Sequence, residues 1–138
     1  MSASEFAGFP ERRHTRFPLP PNLAPVIAEF QGPSAEVLSG RLWDISAAGA
    51  CLNLFRSVMV AENTLGVLMV RLPDSLDELS LPVQVCWSTT PSPITTLVGM
   101  VFSEGLLAPG TFLDEYMKGS WAERLEHFRT AKMSRFFS

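Results

Sequence analysis

Charge is scarce in this 138-residue chain. Asp, Glu, Lys and Arg make up 18% of it, beside 46% hydrophobic residues. An ordinary globular domain carries roughly 25% charged residues. The balance excludes a largely disordered chain and supplies a sizeable core. A basic surplus is also missing: the net charge is −3 and the pI is near 5.3. Wrapping a long polyanion needs a broad cationic face, so no nucleic acid polymer is expected as a partner. A small anion gripped by a few local arginines stays compatible. Cysteine and histidine are few: Cys51, Cys86, His14 and His127, with no pair at metal-ligand spacing. That argues against zinc or any other metal. Both cysteines lie in apolar stretches and read as buried free thiols of a reducing cytosol. The start, Met-Ser-Ala-Ser-Glu-Phe, lacks the basic region and apolar run of a signal peptide. No apolar run approaches the ~18 residues of a membrane span. The expected location is therefore cytoplasmic. No nucleophile has a base beside it, and Glu123 and Glu126 read as a solvated helix face. The chain is read as no enzyme, with no cofactor.

What is present suits one domain, since domains hold ~100–150 residues. Eleven prolines punctuate the chain and favour short strands over long helices. Residues 1–10 read as a flexible N-terminal tail, and 11–138 as the domain. Residues 11–16, Glu-Arg-Arg-His-Thr-Arg, form the only dense basic cluster, an arginine arm. Phe17-Pro18-Leu19-Pro20-Pro21 must run largely extended. Six strand-like runs follow: 25–30, 37–43, 50–55, 65–72, 79–87 and 95–102. Leu81, Val83, Val85 and Trp87 mark the fifth at period 2. Six short strands between turn residues suggest a small barrel or sandwich spanning about 17–104.

The period changes after residue 110. Thr111 offers a cap to a turn beginning at Phe112, and Gly119 interrupts it. Ser120-Trp121-Ala122-Glu123 then forms a capping box, followed by an apolar stripe of Trp121, Leu125 and Phe128. A C-terminal helical segment is expected over about 111–135, broken at Gly119. The apolar ending Met133, Phe136 and Phe137 exceeds the needs of one small barrel and leaves a homodimer through this helix open.

Two segments could carry chemistry. The forks of Arg12 and Arg16 suit phosphate and the acceptor edge of guanine, and their flat faces stack on bases. In an extended segment, residues four apart point the same way, and Arg13 is available as a third. In Trp43-Asp44-Ile45-Ser46-Ala47-Ala48-Gly49, Asp44 and Ser46 share a face if the segment is extended. A carboxylate accepts from the N–H groups of guanine's pairing edge. A hydroxyl donates or accepts. Gly49 supplies positive φ or close backbone approach. The plainer alternatives are a solvated basic stretch and an Asx or Ser turn between strands.

In order, Arg12-x-x-x-Arg16 and Asp44-x-Ser46-x-x-Gly49 resemble the two-part signature of PilZ domains. The resemblance covers roughly residues 11–130, including the late Val98-Gly99-Met100-Val101-Phe102 strand and the terminal helix. It implies a mainly β fold: a six-stranded antiparallel β-barrel with a C-terminal α-helix. It also implies a bacterial regulatory receptor for the second messenger cyclic di-GMP. Arg12 and Arg16 then look like the arginines for phosphate and guanine, with Arg13 an additional one. Asp44 and Ser46 look like the guanine- and phosphate-side partners, and Gly49 like the turn glycine. Trp87 is placed beside the ligand, with a core or rim aromatic as its alternative. The implied mechanism is a switch. Ligand bridges a mobile arm to the Asp44–Gly49 turn, and the ordered arm presents a surface to a downstream protein. The rival readings are a nucleotide-free PilZ-like protein-interaction adaptor and a general oligonucleotide-binding barrel.

Overall fold

The computed structural model describes residues 14–19, 26–34, 36–72, 77–119 and 123. The tail at 1–10, Arg12, Arg13 and nearly all of the expected helical segment beyond Gly119 lie outside the described residues. All six expected strands are present, together with one short addition. They are β1 (Phe17–Pro18), β2 (Ile27–Gln31), β3 (Val37–Ile45), β4 (Gly49–Asn53), β5 (Leu65–Arg71), β6 (Glu78–Ser92) and β7 (Thr95–Phe102). Among the described elements a helix follows, α1 (Phe112–Lys118).

Every pairing is antiparallel. The order β3-β2-β5-β6-β7-β4 returns to β3, so six strands close into a barrel and β1 adds to β3. Closure removes the unpaired edges that an open sheet would expose. The alternating apolar set faces inward. Leu42, Ile45, Leu52, Leu68, Val85 and Val98 are all at most 1% exposed. Burying such a side chain contributes about 1.5–3 kcal/mol each, and this shared interior fixes the register of every strand.

Boundaries differ from the expected ones where local chemistry intervenes. β4 ends at Asn53, because Asn53 Oδ1 accepts from the Phe55 N–H (3.0 Å) and Phe55 turns to φ 54°. β6 runs on to Ser92, where the Ser92–Thr95 pair closes a tight hairpin. α1 opens on Thr111, whose hydroxyl accepts from the Asp114 N–H at 3.2 Å. It stops at Gly119, whose N–H donates to Glu115 O (3.1 Å). The expected break is thus the end of this helix. Leu113 and Tyr116 enter the barrel's core cluster, so α1 packs against the barrel. The Tyr116 hydroxyl donates to Pro18 O at 2.6 Å and ties α1 to β1.

Candidate functional site

The site begins with a slip in register. Pairing between β3 and β4 passes from Leu42–Leu52 directly to Asp44–Cys51, leaving Trp43 as an extra residue. Strict alternation from buried Leu42 would send Asp44 into the core. Instead Ile45 is the next residue fully inside, and both Trp43 and Asp44 fall on the outer face. A bulge re-aims a side chain in this way. Here it brings a carboxylate out of the barrel wall.

β1 delivers the partner. Phe17 pairs with Ile45 and Pro18 with Asp44, which fixes the backbone just after Arg16. Arg16 Nη2 donates to Asp44 Oδ2 at 2.8 Å. The arginine side chain is 45% exposed and the carboxylate 16%. A pair this open to solvent is worth at most about 1 kcal/mol. It therefore positions the two groups more than it holds the fold, and a guanidinium carries five donors.

Ser46 shapes the turn below. The residue is 2% exposed, and its hydroxyl accepts from the N–H groups of Ala48 (3.3 Å) and Gly49 (3.1 Å). The Ser46 N–H donates to Gly49 O at 2.9 Å. The side chain is thus engaged in a Ser turn, one of the two alternatives its sequence context left open. Gly49 is required for close approach and not for a left-handed conformation: a Cβ there would collide with the carbonyl oxygen of Met100.

Trp87 completes the wall. The register across four strands is Asp44–Cys51–Gly99–Trp87, one row on the outer face. The indole lies against Gly99 so closely that a Cβ on Gly99 would overlap the ring. Trp87 is partly exposed, neither a core residue nor a free one. Arg16, Asp44, Ser46, Gly49, Trp87 and Gly99 together line one shallow recess. The structure therefore gathers five of the seven residues singled out in sequence. Arg12 and Arg13 lie outside the described residues. Gly99 was missed as a site residue. Its signal was available, since glycine inside a strand marks close approach of another group.

Outward carboxylate, multi-donor cation and exposed indole face suit a planar, hydrogen-bonding group carrying negative charge. A larger concavity of about 360 Å³ beside α1 does not: Asp77, Glu115 and Glu123 wall it, and carboxylates repel an anion. Among the described residues no His, Cys, Asp and Glu cluster could hold a metal ion, and no helix is long and apolar enough to cross a membrane.

Several solved structures share the fold, three among them at low identity. One is the PilZ domain of Escherichia coli YcgR with c-di-GMP, at 13% identity and TM-score 0.54, with 89% of each chain covered. Another is Escherichia coli YcgR in complex with c-di-GMP, at 17% identity and TM-score 0.56, covering 91% of this chain and 50% of that one. The third is the Bacillus subtilis inhibitor of motility MotI/DgrA, at 14% identity and TM-score 0.50, covering 92% and 52%. The chain thus spans about half the length of MotI/DgrA and of the longer YcgR structure. At these identities the likeness concerns the fold. No curated protein matches by sequence. The sequence profile described as PilZ domain matches residues 10–118. With that span matched and the six-stranded barrel in place, the chain belongs to the PilZ domain family.

Proposed function

We propose that this chain is a regulatory receptor for c-di-GMP that acts on a downstream protein and catalyses nothing. The observation that carries this reading is the Arg16–Asp44 pair, set at 2.8 Å beside Trp87 on the outer face of a PilZ barrel. The ligand is a dianion with two guanine bases. Asp44 accepts from the N–H groups of one guanine edge. Arg16 gives its fork to a phosphate or to guanine's acceptor edge, and charge-assisted bonds of this kind are the strong ones. Arg12 and Arg13 precede Arg16 and add cationic forks to the same dianion. The Ser46–Gly49 turn, closed on itself by the Ser46 hydroxyl, forms the floor of the recess beside this pair. Trp87 offers an aromatic face along the row.

Binding links the arm before β1 to the barrel wall. Ordering the arm costs entropy, so the net affinity is smaller than the contacts alone suggest. The ordered arm then forms a surface for the downstream partner, an order–disorder switch biased by ligand. A bacterial cytoplasm is the setting that this reading implies.

Isothermal titration with c-di-GMP on the wild type and on Arg16→Ala tests the reading. The wild type should bind saturably. The variant should bind roughly a hundredfold more weakly, as expected when a charged contact worth a few kcal/mol is lost. A wild type that gives no binding overturns the proposal and leaves the nucleotide-free adaptor standing.

A further inference from the structure

Trp43 is the residue that the site as drawn leaves unused. It is 40% exposed, whereas tryptophan is highly buried on average. Its indole N–H has no hydrogen-bond partner among the described residues. Its backbone, in contrast, is firmly held: the Leu19 N–H donates to Trp43 O at 3.1 Å, just beyond β1. The side chain is thus an exposed aromatic on a pinned backbone. The same bulge that turns Asp44 outward also turns Trp43 outward, since the two residues share one partner position opposite Cys51. Trp87 stands at the other end of that row, beyond Cys51 and Gly99. Both indoles thus lie on the outer face that carries Asp44, Trp87 inside the recess and Trp43 just outside its lining.

We infer that Trp43 is a further ligand-binding residue, a stacking platform for a guanine base beside the Arg16–Asp44 pair. The inference rests on the c-di-GMP reading and adds a contact to it. A cyclic dinucleotide carries two bases, and a base held at its edge by Asp44 still has two bare faces. An indole next in the chain to that carboxylate covers one face at little entropic cost, because its backbone is already fixed. Stacking of a base on an aromatic side chain is insensitive to base identity and worth about 1–3 kcal/mol. Trp43 would thus raise affinity, and Asp44 would set the preference for guanine. The exposed indole N–H can also meet a phosphate oxygen, which tryptophan's donor-only nitrogen suits.

The test is titration of c-di-GMP into the wild type, Trp43→Ala and Trp43→Phe, with ¹H–¹⁵N spectra of the indole N–H groups. Trp43→Ala should weaken binding roughly tenfold to a hundredfold. Trp43→Phe keeps a ring and should recover much of the loss. The Trp43 indole signal, assigned by its disappearance in Trp43→Phe, should move upfield on saturation through the ring current of a stacked base. Circular dichroism of both variants should match the wild type, because the side chain is on the surface. A wild type that binds while Trp43→Ala binds equally well overturns this inference and leaves the receptor reading intact. So does an unmoved Trp43 signal at saturation. A wild type that does not bind overturns both.

Discussion

Two glycines at the site are needed for different reasons, and the difference predicts different damage. At Gly49 an added Cβ meets the Met100 carbonyl, which is backbone in a paired strand and cannot retreat. Gly49→Ala should therefore lower stability by about 1–3 kcal/mol, the usual cost of overpacking, read as a lower urea midpoint. At Gly99 an added Cβ meets the Trp87 ring, which can lift away into solvent. Gly99→Ala should cost less stability yet change the near-ultraviolet circular dichroism and weaken c-di-GMP binding. Equal stability losses in the two variants would contradict this account. The sequence made Arg16, Asp44 and Gly49 legible through their spacing, because side-chain type alone limits what they can contact. For Ser46 it left a ligand contact and a Ser turn both open, and the hydroxyl is engaged in the turn. The outward placement of Trp43 was not legible. It ends the expected run 37–43, and only the unpaired position at the bulge turns it outward.

The elements show where periodicity succeeds and where it fails. Six strands were readable because inward and outward residues alternate over a closed interior. β1 was read as extended but not as a strand, since Pro18 brings no N–H to a ladder. It pairs nonetheless at Phe17 and Pro18 and carries Arg16 to Asp44. α1 supports that strand through the Tyr116 hydroxyl on Pro18 O. The helix is itself pinned by Asp114. Its carboxylate takes bonds from the Lys118 ammonium (2.8 Å) and the Gly110 N–H (2.9 Å). The Lys118 bond and then the Gly110 N–H hold the Asp114 carboxyl below its ordinary 3.8, and the bond to the Asp114 carboxylate in turn raises Lys118 above 10.5. The sign follows from linkage. The contribution of Asp114 is present above pH 3.8 and is lost as pH falls through its lower folded value. That of Lys118 is present below pH 10.5 and is lost as pH rises past its raised one. Urea unfolding of Asp114→Asn should therefore show a flatter acid limb than the wild type below pH 3.8. Identical acid limbs would remove this pair from the account of how α1 is held.

At the scale of the whole molecule, the closed barrel separates stability from binding. β3 is served on one side by β4 and on the other by β2 and then β1, so β1 docks on a strand already fixed twice over. The fold can thus stand without ligand, and a ligand that binds only the folded chain adds stability by mass action. Free c-di-GMP at a hundred times its Kd should add about 2.7 kcal/mol. For a domain of this size that raises Tm by on the order of 10 °C. Differential scanning calorimetry with and without c-di-GMP measures it. Arg16→Ala should keep the ligand-free Tm nearly unchanged, since its ion pair is exposed, and lose most of the rise. Gly49→Ala should lower the ligand-free Tm. A variant can therefore be placed by which of the two quantities it moves. The low net charge of −3, already plain in the sequence, belongs to the same argument. It confines attraction for the dianion to the few arginines near β1, so the rise should shrink at high salt as exposed charges are screened. A rise that survives Arg16→Ala and is insensitive to salt would mean that the ligand is held elsewhere on the barrel.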